Sequence, residues 1–434
     1  MHLVQQALFI VVFSVAVYLF SRKVGQIRYN ILLGRDAEIK DRKGERWRGL
    51  VLLALGQKKM FRNWIPAVLH FFVYAGFIII NIEILEIILD GITGRHRMFA
   101  RGMGSLYGVL IGCFEILAVL VIVGCAAFLV RRNVLKIRRF RSREMTRWPR
   151  SDANYILIME IILMLLFLTM NTADQALQLR GADGYPATGA FWVTGIMVPA
   201  FGRLSVPALE AIERGCWWLH ITGVLFFLNY LPYSKHFHII LAFPNTWYRN
   251  LEAPGKMTNM AEIQHEVQAM FDPPAAGTPA EAPPERFGAK DVDDLTWKNL
   301  MDAYSCTECG RCTAACPASQ TGKLLSPRKI MMDTRDRAEE VGRRLRRGDS
   351  SGDGRSLLHD YITPEELRAC TTCNACVQEC PVSISPLDII VQLRRYLVMD
   401  EASAPQEWNQ MFSNIEQNMA PWKFPPEDRG NWAE

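Results

Sequence analysis

No two cysteines are adjacent anywhere in the 434 residues, although there are eleven of them. Nothing resembles the glycine-rich turn that cradles a dinucleotide or a phosphate, and no side chain stands in a setting that marks a catalytic nucleophile. Hydride transfer, phosphoryl transfer and covalent catalysis therefore find no site in the chain. Charged residues reach only 21%, while half of all residues are hydrophobic. That mixture suits a membrane part joined to a soluble part, and the length favours two or three domains. The first apolar stretch, 3–20, lacks the basic start and the small-residue cleavage site of a secretory signal, so it is expected to be an uncleaved membrane span.

What the chain does have is thiols at fixed spacing. Cys306, Cys309, Cys312 and Cys316 are followed by Pro317; Cys370, Cys373, Cys376 and Cys380 are followed by Pro381. Each run reads C-x2-C-x2-C-x3-C-P, the pattern that holds a 4Fe–4S cluster. Three sulfurs two residues apart can wrap three corners of a cube from one tight turn, and the fourth corner must come from elsewhere. In paired runs the fourth cysteine usually ligates the other cluster. The expected sets are thus Cys306, Cys309, Cys312 and Cys380 for one cluster, and Cys370, Cys373, Cys376 and Cys316 for the other. Structural zinc needs four thiolates per site as well, but it does not account for a proline after both fourth cysteines. The remaining three, Cys113, Cys125 and Cys216, lie in apolar segments and are expected to be small core residues.

Apolar runs at 3–20, 64–89, 105–130, 153–173 and 212–231 are each near the ~20 residues that cross a bilayer. Five transmembrane helices are expected. The loop after the first span, from Arg22 to Arg62, and the loop after the third, from Arg131 to Arg150, are dense in Lys and Arg; the loops after the second and fourth have few. Dense basic loops stay in the cytoplasm, which puts the N-terminus outside and everything after the fifth span inside. Thiolates offered to iron must stay reduced, which independently places the cysteine runs in the cytoplasm. Membrane topology accounts for the basic loops, so no nucleic-acid partner is expected.

Histidines suggest what the spans carry. His70 lies ~9 Å into the second span from its cytoplasmic end and His220 ~15 Å into the fifth, at 1.5 Å per residue. His238 follows Pro232 and Tyr233-Ser-Lys near the cytoplasmic edge. An imidazole in a membrane helix is costly and usually functional, and histidine is an axial ligand of haem iron. Any one of them could instead be an interhelical hydrogen-bonding residue. Further along the second span, Glu83 and Glu86 share a face and are candidate proton acceptors at a quinol site; Glu115 and Glu160 are weaker candidates, and Asp90 is expected to be helix-end polarity.

The stretch from Trp218-Leu-His220 to Leu231-Pro-Tyr-Ser-Lys-His-Phe-His238 resembles the haem-binding segment of the nitrate reductase gamma subunit family, in which two histidines eighteen apart flank a Pro-aromatic-Ser-basic turn. The resemblance implies haem b. The family offers two histidines ten apart on its second helix, whereas ten residues after His70 stands Ile80. One bis-histidine haem on His70 and His238 is the expected arrangement, with His70 and His220 as the alternative pair and a second haem as the alternative count. His236 is expected to be interfacial.

Residues 256–270 have the pattern of a short amphipathic helix, and 271–285 that of a proline-rich linker. Beyond them, Trp297 to Ala303 should be a helix delivering Cys306. More than fifty residues separate the runs, too many for a compact two-hairpin ferredoxin. They are helical in character, with Ser326-Pro327 and Thr363-Pro364-Glu-Glu as helix starts. An α-helical ferredoxin is expected. Arg335 to Arg347 should be a solvated helix or, alternatively, a docking patch. Cys306-Thr-Glu-Cys-Gly-Arg-Cys, Leu325-Ser-Pro-Arg328 and Cys380-Pro-Val-Ser-Ile-Ser-Pro-Leu-Asp resemble the ferredoxin subunit of heterodisulfide reductases. Ala420-Pro-Trp422 and Pro425-Pro-Glu-Asp-Arg-Gly-Asn-Trp432 resemble the segment preceding the Cys-Cys-Gly repeat domain of fused iron–sulfur oxidoreductases. With no Cys-Cys pair in the sequence, the resemblance implies a separate cytoplasmic redox partner bearing those repeats.

The expected whole is an all-α membrane protein. It comprises a five-helix nitrate-reductase-gamma-like bundle carrying haem b (1–250), an amphipathic helix and linker (251–290), an α-helical ferredoxin with two 4Fe–4S clusters (291–400), and a tail that docks a partner (401–434). It should be a quinone-linked electron-transfer subunit in a prokaryotic inner membrane. A subunit of a heterodisulfide-reductase-like or organic-acid oxidoreductase, and a membrane redox sensor, are the alternatives.

Overall fold

The computed structural model describes residues 3–189, 191–271 and 286–434. Among them there is no strand, and extended backbone pairs only at two isolated bridges, Arg35 with Thr296 and Leu358 with Ile362. The chain is an all-α membrane protein. Four helices are long and apolar enough to cross a bilayer: α1 (Leu3–Ile31), α2 (Trp64–Thr93), α3 (Ser105–Leu129, continued by a π-helical turn to Val134) and α4 (Trp148–Leu179). The fifth expected span is α5 (Val206–Tyr230), a helix of 25 residues made less apolar by Glu210, Glu213, Arg214 and two tryptophans. All five outrun the apolar stretches that announce them, because helical hydrogen bonding continues through the flanking polar turns.

Lipid tails give no hydrophobic drive between helices, so close packing and polar contacts must hold the bundle. Neighbouring helices pack in sequence from α2 to α5, and α1 closes against α2 and α5. Gly76 lets α2 approach α3: a Cβ there would stand 2.4 Å from Val121 Cγ2. Phe9, fully buried, lies with its ring 5.7 Å from that of Trp217 and joins α1 to α5. The outward residues of α1, among them Leu8, Val11, Val15, Tyr18 and Leu19, are exposed, as a lipid-facing stripe must be.

The chain leaves α5 by the Pro232 turn and enters α6 (His238–Trp247). The expected amphipathic helix is α7 (Ala261–Phe271); the proline-rich stretch after it lies outside the described residues up to 285. Then follow α8 (Trp297–Ser305), α9 (Arg311–Ala315), α10 (Pro327–Leu345), α11 (Pro364–Arg368), α12 (Ala375–Glu379), α13 (Pro386–Arg395) and α14 (Gln406–Asn418). Local sequence explains their starts. Thr296 with Asn299 and Thr363 with Glu366 form capping boxes, and the Ser326 hydroxyl accepts from Lys329 N before Pro327; each such cap contributes about 1 kcal/mol. Leu300, Ile330, Ile389 and Leu393 are wholly buried between α8, α10 and α13, at roughly 1.5–3 kcal/mol each.

The run from Arg335 to Arg347 is not simply solvated. Arg337, 1% exposed, clamps Asp291 and Asp353, and Arg335 pairs with Glu308. The arginine stems lie on the buried face of α10 and only their heads find carboxylates, which composition alone does not reveal. Arg343 and Arg347 remain exposed.

Candidate metal centres

The two cysteine runs are conformational copies. In each, the residue before the second cysteine (Glu308, Thr372) and the residue after it (Gly310, Asn374) have positive φ, between 53° and 71°. Glycine and asparagine are the residues that accept this conformation most readily. A five-residue helix follows each time, α9 or α12, and the fourth cysteine leaves it in nearly identical extended backbone, φ −75° ψ 121° at Cys316 and φ −72° ψ 120° at Cys380. The left-handed turns coil the first three sulfurs around one side of a hollow; the extended exit throws the fourth away from it. At Gly310 a Cβ would also meet Arg328 Nη1 at 2.5 Å.

The two copies pack with α9 against α12 and exchange their fourth cysteines. Cys380 interacts with Cys306, Cys309 and Cys312. Cys316 interacts with Cys370 and Cys376, and lines one cavity together with Cys370, Cys373 and Cys376. Burial pushes the Cys306 and Cys376 thiols up to about 12 and the Cys380 thiol up to about 11. Thiols so placed stay protonated at neutral pH unless a cation takes the proton's place. Backbone N–H groups point at the sulfurs: Thr372 N donates to Cys370 Sγ at 3.4 Å and Ile384 N to Cys380 Sγ at 3.3 Å. Two sets of four thiols, with Cys306, Cys316 and Cys376 buried and only Cys373 exposed, fit two iron–sulfur clusters. Among the described residues no group of three or more His, Cys, Asp or Glu converges as tightly as a single metal ion requires.

Three histidines gather at the end of the bundle nearest these runs. His70 on α2 is within electrostatic reach of His238 and of Arg311, next to Cys312, and His236 is within reach of both His70 and His238. His238 Nδ1 lies 3.0 Å from the Lys235 carbonyl; a carbonyl only accepts, so Nδ1 carries the proton and Nε2 keeps its lone pair. His70 Nδ1 lies 3.0 Å from Gln57 Oε1, which orients its ring in the same way. Each residue thus has one imidazole nitrogen that could be offered to a metal. His236, expected at the interface, instead has its ring against Phe227 at 5.4 Å, His238 at 5.5 Å and Phe77 at 6.4 Å. His220 stands apart from this group. It is 1% exposed and neither ring nitrogen has a hydrogen-bond partner, an arrangement that also fits a ligand position.

The turn between α5 and α6 touches the first cysteine run directly: Lys235 Nζ pairs with Glu308 at 2.5 Å. Lys59 Nζ donates to the carbonyls of Val377 (3.4 Å) and Cys380 (3.1 Å), and Arg311 Nη1 donates to the Lys59 carbonyl (3.4 Å). Arg328, wholly buried, donates to Glu144 Oε1 (2.7 Å) and to the Arg139 carbonyl (2.8 Å) in the loop between α3 and α4. Lys59 and Lys235 read in the sequence as topology charges, and Glu144 is the lone acid of a basic loop; their pairing is visible there only as lone charges of opposite sign far apart in the chain.

At the opposite end of the bundle, the polar residues are more organised than expected. Asp90 caps the turn after α2, accepting from Arg97 N (2.8 Å) and Met98 N (3.0 Å). Glu86 accepts from Tyr107 Oη (2.7 Å) and Phe99 N (2.8 Å), and Glu115 from Val193 N (2.8 Å). Buried Arg97 binds Asp174 at 2.6 Å and lies 3.6 Å from Glu83, whose two oxygens accept no hydrogen bond. Cys125 is core, as expected, but Cys216 is only half-buried and Cys113 faces outward.

Residues 305–384 match the family described as the 4Fe-4S dicluster domain. Over 98% of its length the chain is 29% identical to the "Probable iron-sulfur-binding oxidoreductase FadF" of Bacillus subtilis, covering 60% of that protein. It is 24% identical over 88% of its length to the "EtfAB:quinone oxidoreductase" of Syntrophomonas wolfei, covering 53% of it. A "Probable membrane-anchored ferredoxin" of Chromohalobacter salexigens is 33% identical over 36% of this chain and 25% of that one. Subunits C and D of heterodisulfide reductases match as well. The chain thus spans only some 53–60% of the two relatives it matches along most of its length. No solved structure matches it. Its relatives are iron–sulfur oxidoreductases and ferredoxin subunits, the group its cysteine runs resemble.

Proposed function

We propose that this chain carries electrons between a membrane quinone and a redox protein on the cytoplasmic side, as the membrane subunit of a quinone-linked oxidoreductase. Cys306, Cys309, Cys312 and Cys380 hold one 4Fe–4S cluster, and Cys370, Cys373, Cys376 and Cys316 hold the other. His70 and His238 hold a b haem. Bound clusters and haem supply one-electron carriers in series. The chain's own work is to fix their order and surroundings. The observation that carries this reading is the junction: the His70–His238 pair lies beside Arg311, between two ligand cysteines, and Lys235 of the histidine-bearing turn is paired with Glu308 of the same loop.

Each surrounding group has a definite task. Gln57 and the Lys235 carbonyl engage the Nδ1 atoms of His70 and His238, which leaves Nε2 as the nitrogen each would offer to iron. N–H donors to Cys370 and Cys380 favour the more negative, reduced side of each centre. Lys59, bonded to the Cys380 carbonyl, adds a positive charge in the same direction. Glu83, sharing a helix face with Glu86 and lacking hydrogen bonds, suits proton uptake from a quinol. The N-terminus lies outside, five helices cross the membrane including α5, and the redox partner on the cytoplasmic side bears Cys-Cys-Gly repeats. The name of one relative, a quinone oxidoreductase, supports the quinone.

The test is a reduced-minus-oxidised visible spectrum of the purified chain in detergent, with iron and haem quantified. Two four-iron clusters give about eight irons per chain beside the haem, with a b-type absorbance. About two irons or zincs per chain would remove the clusters; no b-type absorbance would remove the haem.

A further inference from the structure

A basic cleft lies away from both the cysteines and the histidines. It has a volume of about 760 Å³ and opens between the end of α1, the turn after α5 and the end of α10. Five cations line it, Arg22, Lys23, Arg343, Arg346 and Arg347, against one acid, Glu339, with Tyr29 and Tyr233 beside them. Glu339 is already taken by Lys23 at 3.2 Å and by the Tyr304 hydroxyl at 3.0 Å. Arg346 is held by Asn30 and lies over the Tyr29 ring at 5.5 Å. Arg22, Arg343 and Arg347 have no carboxylate partner among the described residues and point into solvent.

The position of the cleft says what would meet these charges. Tyr18 and Leu19 of α1 are 63% and 48% exposed, at the end of its lipid-facing stripe. Arg22 follows within one helical turn, ~5 Å further along the axis. Tyr233, 62% exposed and with Lys23 Nζ 4.9 Å above its ring, marks the same level from α5. Tyrosines concentrate at the membrane–water boundary. The cleft therefore stands at headgroup depth, on the side of the bilayer that carries the cysteine runs. Guanidinium groups bind phosphate oxygens in pairs, and Arg stems with tyrosine rings cover the glycerol and first methylenes of an acyl chain.

We propose that this cleft is a binding site for the headgroup of an anionic phospholipid, which ties α10 of the cluster segment to α1 of the bundle. The phosphodiester sits between Arg22 and the Arg343–Arg347 pair, and the acyl chains run down the exposed stripe of α1. An inorganic phosphate shares the headgroup chemistry but has nothing to place on that stripe.

The experiment uses the full chain, purified in a neutral detergent. It compares phosphatidylglycerol, phosphatidylcholine and inorganic phosphate at equal concentration, read as lipid retained per chain and as a shift in melting temperature. Phosphatidylglycerol should be retained and should raise the melting temperature; the other two should not. The R22Q/R343Q/R347Q variant should weaken retention about fivefold for each cation removed, while its cysteine-run absorbance stays as in the wild type. All three residues are exposed, so the variant folds. Single R343Q and R347Q variants should lie between. Equal retention by the triple variant, equal binding of phosphatidylcholine, or full stabilisation by inorganic phosphate would each overturn the proposal. So would displacement of phosphatidylglycerol by polyglutamate at equal charge, which would make the cleft a face for an acidic protein.

Discussion

Arg328 is the most consequential buried charge outside the centres themselves. Its guanidinium, 0% exposed, holds Glu144, itself 8% exposed, and the Arg139 carbonyl of the loop between α3 and α4, while Gly310 of the first cysteine run leaves room for it. Arg328→Met keeps much of the stem and removes the charge. Breaking one partner of a buried pair costs about 3–5 kcal/mol, because the other charge is left unpaired. At roughly 2–4 °C per kcal/mol for a segment of 150–250 residues, the melting temperature in detergent should fall by about 6–20 °C. Trypsin should at the same time begin to cut at Arg138, Arg139, Arg141 and Arg143, which the docked loop protects. The double variant R328M/E144M should be less damaged than R328M alone, since no orphan carboxylate remains. Acid should act in the same sense. Burial raises the Glu144 carboxyl, but Arg328 and the Ser326 hydroxyl outweigh it and hold it below the ordinary carboxylate range. A depressed folded pKa contributes stability above the unfolded value of about 4.3, and that contribution is lost as pH falls through the folded value. An R328M chain that melts with the wild type and resists trypsin would refute the reasoning.

Three further outcomes follow from the same contacts. Cys380→Ser should abolish the paramagnetic signal that Cys306→Ser abolishes, not the one lost in Cys370→Ser; the opposite assignment would undo the exchange of fourth cysteines. His238→Ala should lose the b haem while His220→Leu retains it, judged by haem per chain; loss in His220→Leu would move an axial position to that residue. Asp333, raised by burial to about 6, gains protons on folding, so its contribution lowers stability as pH rises from about 4 to about 6. Asp333→Asn should therefore be the more stable chain at pH 7, by about 1–3 kcal/mol, since each tenfold change in proton affinity is worth about 1.4 kcal/mol, and equal to wild type at pH 4; a destabilised Asp333→Asn at pH 7 would contradict this.

Much of the site is legible in the sequence because its chemistry is local. Spacing alone marks Cys306 to Cys316 and Cys370 to Cys380 as two ligand runs, since the left-handed turns at Gly310 and Asn374 are local to each run. Depth and the Pro232 turn single out His70 and His238 as candidates, and the structure brings the two near each other. The rest depends on pairs distant in sequence. Glu144 meets Arg328 across 184 positions, and Lys59 meets Cys380 across 321; a pattern read along the chain cannot join them. Arg97 sits in a short polar loop where three arginines look alike, yet only its side chain turns inward to Asp174. Asp90 reads as helix-end polarity in the sequence, because capping depends on where the next turn folds. The amphipathic helix before the linker begins later than its pattern, at Ala261, with Met270 and Phe271 exposed.

The central claim is that electrons pass between the quinone and the cysteine runs by way of His70 and His238. Rapid mixing of the dithionite-reduced chain with a quinone analogue tests it directly, following reoxidation at the iron–sulfur absorbance in wild type and in His238→Ala. Fast reoxidation in the wild type and a slowing of at least a hundredfold (about 2.7 kcal/mol) in the variant are predicted. Equal rates in both would contradict the account.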